Sequence, residues 1–122
     1  MEAVESPSTS SDTAAVVAVA LDYFEGWFDG DEARMDKALH ANFVKRRAGE
    51  KLGITTKERM LDLTRRGEGK EDAADRTLAV DVEDLYGDIA AVTVRSAVYH
   101  EYLHLVRTRS GWKIANGLWQ PT

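Results

Sequence analysis

The sequence contains no cysteine among its 122 residues. This absence excludes disulfide bonds, thiolate catalysis and cysteine-ligated zinc. Basic residues are outnumbered, with 16 Lys and Arg against 21 Asp and Glu and a formal net charge of −5. A chain with this balance should be repelled by nucleic-acid backbones and by anionic lipid surfaces. We therefore predict neither a nucleic-acid partner nor a membrane partner.

The N-terminal region also lacks the features of a targeting or spanning segment. Its apolar run, "AAVVAVAL" at residues 14–21, is much shorter than the roughly 20 residues that a bilayer span requires. No Lys or Arg precedes Arg34, whereas a signal peptide needs a positively charged flank. We therefore expect a cytoplasmic protein.

The overall composition is that of one globular domain. Hydrophobic residues make up 43% of the chain and charged residues 30%, which is ordinary for such proteins, and the length suffices for a single core. The first eleven residues are small, polar and unpatterned, which predicts a flexible tail. Residues 12–122 are predicted to form the domain.

Apolar spacing predicts three helices in the first half. Asp12 is expected to cap a helix that runs to Asp29 and carries a broad apolar face, made of Val16, Val17, Ala20, Leu21, Tyr23, Phe24, Trp27 and Phe28. Asp31 is expected to cap a second, short helix, and the capping-box spacing of residues 55–58 predicts a third that ends near Arg66.

The second half changes to the pattern of β-strands. After a short strand near residues 43–47, four antiparallel strands are predicted at about 77–86, 89–97, 99–108 and 112–120. Helices followed by a strand-rich half indicate the α+β class.

The letters H-E-Y-L-H, residues 100–104, match the H-E-x-x-H pattern of zinc metalloproteases. That pattern requires a helix, on which positions i and i+4 lie on one face. On the predicted strand, His100 and His104 share a face but are about 13 Å apart, too far for zinc–nitrogen bonds of about 2 Å. No His, Asp, Glu or Cys follows Leu105 as a third ligand. We predict no metal site and no cofactor.

Three segments together resemble one known superfamily. They are "ALDYFEGWFDGDEARMDKALHANFVKR" (residues 20–46), "ITTKERMLDL" (54–63) and "EYLHLVRTRSGWKIANGLW" (101–119). The chain resembles the nuclear transport factor 2-like superfamily, particularly its lumazine-binding, polyketide-cyclase-like branch. The resemblance implies a cone: a curved antiparallel sheet wrapped around three helices, with an internal pocket and frequent homodimers through the outer sheet face. Members include isomerases, dehydratases, epoxide hydrolases and cyclases, so the fold does not name a reaction.

The resemblance implies a candidate residue on the first helix, and the sequence itself indicates others at the end of the second helix and on the strand near residues 43–47. Tyr23 matches a tyrosine that stabilises an oxyanion in the isomerase relatives, and Trp27 lies one turn further on; both could equally be core packing. His40 could act as a general base, or be a helix C-terminal histidine stabilised by the helix dipole. Arg46, in the basic cluster of residues 45–47, could meet an anionic ligand or lie at a solvated edge.

Further ligand contacts are expected on the last two strands. Matching the isomerase pattern points Leu103 and Leu105 into the pocket, and the same parity on the last strand points Ala115, Gly117 and Trp119 inward. Gly117 could leave room for a ligand or form a bulge. The acids of the isomerases are missing from residues 37–49 and from position 103, which argues against isomerase-type proton transfer.

Three functions remain open on these grounds. The first is binding of a small molecule in an apolar, aromatic-lined pocket by Tyr23, Trp27, His40, Arg46, Leu103, Leu105, Gly117 and Trp119. The second is a cofactor-independent lyase, isomerase or cyclase that uses Tyr23 and His40. The third is a structural or partner-binding dimer, with Tyr102, Val106 and Trp112 on its outer face. An open cavity would favour the first two functions, and a closed one the third.

Overall fold

The computed structural model describes residues 6–122, and side chains from Ser11 onward. Helix α1 is Ser6–Asp29, α2 is Glu32–Ala38, and α3 is Lys57–Arg65, followed by a 3-10 helix at Glu68–Asp72. The six strands are β1 (Leu39–Arg47), β2 (Gly53–Thr56), β3 (Leu78–Tyr86), β4 (Ile89–Ser96), β5 (Tyr99–Thr108) and β6 (Gly111–Pro121). The prediction of an α+β fold is confirmed.

Helix α1 begins at Ser6, six residues before the predicted cap. Asp12 therefore lies inside the helix, and its carboxylate accepts two hydrogen bonds of 2.8 Å from Arg107 on β5. Asp12 therefore forms an ion pair with Arg107 and does not cap the helix. Of the predicted tail, residues 1–5 lie outside the described residues, and residues 6–11 continue the helix.

Helix α2 begins at the predicted cap, and α3 begins one residue later than the capping-box spacing of residues 55–58 predicts. The Asp31 side chain accepts a hydrogen bond of 3.1 Å from the backbone N–H of Arg34, and Thr56 accepts one of 3.3 Å from that of Arg59. Each cap satisfies a donor that the first helical turn leaves unpaired. Helix α2 ends at Ala38, so His40 lies on β1 rather than at the end of a helix.

The strands form one sheet in the order β2-β1-β6-β5-β4-β3. All neighbours are antiparallel except β1 and β6, which are parallel. The pairing register shifts within β1–β6, β3–β4 and β5–β6, and such irregularities bend a sheet. The predicted turn between β4 and β5 uses Ser96, whose Oγ accepts from the backbone N–H of Tyr99 at 2.9 Å.

One face of the sheet packs against the helices around a common core. Val16, Ala20, Tyr23, Phe24 and Phe28 of α1 are buried there with Leu103, Leu105 and Ile114 of the sheet. This arrangement is the cone that the resemblance implies. In the part of the chain that the structure describes, no helix combines the length and the apolar character that a membrane crossing requires.

A bulge at Ala115 overturns two predictions for β6. Leu105 pairs with Ile114 and His104 pairs with Asn116, so Ala115 has no partner and the parity of β6 changes there. Trp112 is consequently 5% exposed and lies in the core, not on the outer face. Ala115 lines an outer groove with His104 and Asn116 instead of pointing inward.

Candidate functional site

A small cavity lies between α1, α3 and the sheet. Its lining combines aromatic and aliphatic walls with two charged groups, from Tyr23, Phe24, Trp27, Lys45, Met60, Tyr99 and Glu101. The space for the centre of a water-sized sphere is about 10 Å³, which is about enough for one water molecule. The chain's own side chains therefore almost fill the interior.

Three polar side chains meet inside this cavity. The Lys45 ammonium donates a hydrogen bond of 2.7 Å to the Tyr23 hydroxyl. That hydroxyl lies 3.2 and 3.1 Å from the two carboxylate oxygens of Glu101, to which it donates. Lys45 Nζ is 3.6 Å from Glu101 Oε2. Lys45, Tyr23 and Glu101, called the buried triad below, thus form one connected network.

Strand alternation explains how β1 and β5 bring these groups together. Phe43 and Lys45 point to the helices because side chains on a strand alternate between faces. On β5 the same rule places Glu101 on the inward face with Leu103 and Leu105. Tyr23 enters from α1, whose buried face covers this part of the sheet. Each member of the triad therefore comes from a separate element.

Gly117 makes room for the carboxylate. It pairs with Leu103 across the β5–β6 ladder, and a Cβ at this position would lie 2.6 Å from Glu101 Oε2. Carbon and oxygen do not approach so closely without one of them moving. The glycine thus holds open the space that Glu101 occupies.

Burial shifts the proton affinities of the triad away from their ordinary values. Removal from water raises the pKa of the Glu101 carboxyl, although the neighbouring Lys45 charge opposes this. Removal from water lowers the pKa of Lys45, again against the attraction of Glu101. The pKa of the Tyr23 hydroxyl is raised by burial and then by the adjacent carboxylate. Both charged members are thus pushed toward their neutral forms.

Aromatic rings surround the Lys45 ammonium. Its Nζ lies 5.3 Å from the ring centre of Tyr23, 6.0 Å from that of Tyr99 and 5.2 Å from that of Trp119. These distances fall within the range of cation–π attraction. The lysine therefore has one hydrogen-bond partner, one carboxylate and three ring faces, in place of water.

A second polar cluster closes the cavity toward the 3-10 helix. Trp27 Nε1 donates to Asp72 Oδ2 and lies equally close, at 3.2 Å, to the Tyr99 hydroxyl. The Tyr99 hydroxyl also donates to Asp72. A Cβ on Gly69 would come within 2.6 Å of Trp27 ring atoms, so this glycine lets the 3-10 helix lie against the indole. Trp27, Asp72 and Tyr99, the mouth cluster below, are half-buried.

The structure places several of the predicted site residues around this cavity. Tyr23 and Trp27 line it, the Trp119 ring lies beside the Lys45 ammonium, and Gly117 lies beside Glu101. Leu103 and Leu105 point to the same interior but are packed into the core, 0% and 1% exposed. Their roles in binding or catalysis stay predictions.

Two other predicted residues lie elsewhere. His40 is on the face of β1 opposite Leu39, its Nδ1 accepts from the backbone N–H of Asn42 at 3.0 Å, and it lines a surface groove with Asp36 and Lys57. Arg46 is exposed, because alternation turns it away from the cavity that Lys45 enters. The structure therefore does not bring Tyr23 together with His40 or Arg46.

Glu101 and Lys45 are cavity residues that are absent from the sequence-based prediction. Glu101 shares the parity of Leu103 and Leu105 on the same strand, so the inward direction predicted for these leucines applies to it as well. Lys45 likewise follows from the inward position of Phe43. Both were missed because Lys and Glu are rarely buried unless they are paired, and the pairing is visible only in three dimensions.

The H-E-Y-L-H letters lie on β5, as predicted, and not on a helix. His100 and His104 point to the outer face, opposite Glu101 and Leu103, with exposed Tyr102 between them. Among the residues whose side chains the structure describes, no group of three or more His, Asp or Glu side chains is placed to hold a metal ion.

Comparison with solved structures gives the fold alone. A nuclear transport factor 2-like protein of unknown function from Silicibacter pomeroyi superposes with a TM-score of 0.74 at 17% identity, covering 93% of this chain and 98% of that one. A similar protein from Methylobacillus flagellatus gives 0.70 at 16%, covering 92% and 93%. A ketosteroid isomerase-like protein from Erwinia carotovora atroseptica gives 0.60 at 16%, covering 88% and 94%.

A search of curated proteins finds no match to the chain. A family model does match, over residues 11–120, and its description is "Putative lumazine-binding". The matched span includes all three members of the buried triad and the whole mouth cluster. The chain belongs to this lumazine-binding family, and its fold is that of the nuclear transport factor 2-like proteins.

Proposed function

We propose that this protein binds a small molecule in the cone, with the buried triad as its polar recognition group. The observation that carries the proposal is the convergence of Lys45, Tyr23 and Glu101 on a cavity with aromatic walls. Binding sites typically combine apolar walls with a few placed polar groups. A buried, paired charge is also a weak contributor to stability compared with an apolar core, so the triad is better explained by a ligand than by packing.

The small size of the cavity by itself favours the structural or partner-binding dimer, so binding in the cone sets a condition on the ligand. Space for about one water, roughly 10 Å³, admits only a very small molecule unless side chains move. The mouth cluster is the part best able to move, because its three members are half-buried and joined by side-chain hydrogen bonds. A larger ligand would therefore enter by separating Tyr99 and Asp72 from Trp27.

A second candidate is acid–base catalysis on the bound molecule. Glu101 provides the carboxyl group that the sequence reading did not find, and its pKa is raised by burial. A carboxyl with a raised pKa next to a hydroxyl donor can move a proton near neutral pH. One solved structure of similar fold is called ketosteroid isomerase-like, which is consistent with chemistry in such a cone.

Native mass spectrometry of gently purified protein tests the binding proposal. We expect a molecule retained at one copy per chain, lost in Lys45→Met and kept in the control Lys113→Met, whose lysine is outside the cavity. A fragment screen can be read through the indole N–H signals of Trp27 and Trp119 by NMR. If neither experiment finds a ligand, the cavity is a filled structural core. A structural or partner-binding dimer then replaces small-molecule binding as the proposed function.

A further inference from the structure

We propose that Lys45 is a nucleophile and that the ligands of this site are small aldehydes or ketones, held as an imine on its Nζ. This inference rests on the proposed function, because it names the chemical class that the buried triad would bind. It is carried by the placement of one primary amine inside an aromatic cavity, beside a hydroxyl and a carboxyl group.

Lys45 differs from the other lysines in its surroundings. Its side chain is 10% exposed and faces the cavity, whereas the remaining lysines of residues 6–122 are exposed or half-buried: Lys37, Lys51, Lys57, Lys70 and Lys113. Amines that lose their water shell in an apolar site become neutral more readily, and the neutral amine is the form that attacks a carbonyl carbon. Lys45 is therefore the amine best prepared for this reaction.

Glu101 gives the lysine proton a destination. The carboxylate oxygen Oε2 lies 3.6 Å from Nζ, and the Tyr23 hydroxyl lies within hydrogen-bond distance of both groups. Transfer of the proton from the ammonium to Glu101, directly or through Tyr23, leaves a neutral amine and a neutral carboxyl group. This neutral pair is the state that burial favours on both sides.

The chemical steps balance with the groups present. The Nζ lone pair forms a bond to the carbonyl carbon, and the oxygen receives a proton from the Glu101 carboxyl group, which gives a carbinolamine. The nitrogen then gives one proton to the Glu101 carboxylate, which passes it to the hydroxyl group. The carbon–oxygen bond breaks and one water leaves. The product is a protonated imine beside the Glu101 carboxylate, and no oxidant or reductant is consumed. Tyr23 donates to the oxygen during these steps.

The groups that face the lysine favour this chemistry over simple ion pairing. Lys45 meets one carboxylate at 3.6 Å, longer than a charge-assisted hydrogen bond, while rings occupy its other sides. The charged and titratable groups around it come from four elements, namely Tyr23 of α1, Arg47 of β1, Asp72 of the 3-10 helix, and Tyr99 and Glu101 of β5. The Arg47 guanidinium lies 5.4 Å from the ring centre of Trp119.

Reductive trapping tests the proposal. The whole protein is incubated with propionaldehyde and sodium cyanoborohydride near pH 7, and the modified lysines are located by peptide mapping. We expect Lys45 to be alkylated at least about tenfold faster than each of the other five lysines, because burial lowers its pKa and so raises the fraction of neutral amine. Lys45→Met should remove the fast phase, and Lys113→Met should keep it.

Two conservative substitutions distinguish a nucleophilic role of Lys45 from a structural one. Lys45→Arg keeps the positive charge but has no nucleophilic amine, so it should lose the fast phase, and urea denaturation checks that the variant is folded. Tyr23→Phe should slow alkylation at Lys45 without redirecting it to other lysines. Label spread over the exposed lysines, with Lys45 unmodified, would overturn the imine proposal. If indole signals still respond to fragments in that case, noncovalent binding stands; if they do not, both proposals fail.

Discussion

Two adjacent residues of β1, Lys45 and Arg46, carry the same charge and occupy opposite environments. The Lys45 residue is 8% exposed and bound to Tyr23, whereas Arg46 is exposed on the other face. Alternation along the strand turns these two side chains to opposite faces of the sheet. At the residue scale, a one-residue error in the assigned face of β1 therefore exchanges a cavity residue for a surface residue.

The pH dependence of stability should change when the lysine of the triad is removed. In Lys45→Met, Glu101 loses the charge that opposes its raised pKa, so the folded-state pKa rises further. Between the unfolded pKa of about 4.5 and this higher value, the folded chain keeps a proton that the unfolded chain has released. Stability is therefore complete at low pH and falls as pH rises, by at most about 1.4 kcal/mol per pH unit.

Urea denaturation of Lys45→Met at about pH 5 and about pH 8 measures this slope. The double variant Lys45→Met with Glu101→Gln is the control, because it lacks the titrating carboxyl group and should lose the added slope. If the unfolding free energy of Lys45→Met changes with pH as that of the wild type does, Glu101 remains ionised without its partner.

Gly117 provides a second test at the residue scale. Gly117→Ala places a methyl group 2.6 Å from Glu101 Oε2 and 3.3 Å from Leu103 Cδ2. Both neighbours are buried, so relief of the overlap requires strain, and we expect a loss of about 1–3 kcal/mol in unfolding free energy. The control is Gly53→Ala on β2, where the nearest atom, Arg47 Cβ, is 3.6 Å away. Equal stabilities of the two variants in urea would contradict the close packing at Gly117.

At the scale of elements, local signals predicted the three helices and five of the six strands, but not the short strand β2. Asp31 is a cap that the sequence shows directly, whereas Thr56 caps α3 one residue after the position that the capping-box spacing indicates. The bulge at Ala115 depends on how β6 fits against β5, and no local residue signal marks it. This bulge moved Trp112 from the predicted outer face to the core. The buried triad was equally hidden, since its three residues lie far apart in the sequence.

Strand β5 separates the two histidines from the site. Because His100 and His104 lie four residues apart on a strand, their side chains are about 13 Å apart and cannot ligate one zinc ion. We expect no stoichiometric zinc bound through both, as judged by elemental analysis and by calorimetric titration of the wild type against His100→Ala. A zinc ion whose binding both substitutions, His100→Ala and His104→Ala, abolish would contradict this.

The two faces of the sheet should also differ in ligand binding. Trp27 lines the cavity and anchors the mouth cluster, so Trp27→Ala should weaken retention of the bound molecule strongly. A buried aromatic side chain contributes about 1.5–3 kcal/mol, which corresponds to at least about a tenfold loss in affinity. His100→Ala, on the opposite face, should leave binding unchanged. Native mass spectrometry compares the two, and a reversed pattern would move the site to the outer face.

For the whole molecule, the outer face of the sheet has no covering element among residues 6–122. Tyr102 and Leu118, which pair across β5 and β6, are 53% and 44% exposed. They border an outer groove of about 480 Å³ that also contains Thr93 and Asn116. Large exposed apolar patches commonly mark an interface, and a surface that pairs with its own copy gives a closed dimer.

We therefore predict a homodimer that uses this face. In the dimer, Leu118→Glu should place one negative charge from each protomer in an interface that loses water on assembly. Because these like charges repel each other, the variant should be shifted to monomers. Leu52→Glu is the control, because Leu52 is similarly exposed, at 52%, but lies before β2, outside the grooves of the outer face. Light scattering at tens of micromolar, roughly the range in which a standard interface of about 800 Å² per partner is populated, measures the mass. A monomeric wild type, or a dimer that only Leu52→Glu dissociates, would show that the outer face is not the interface.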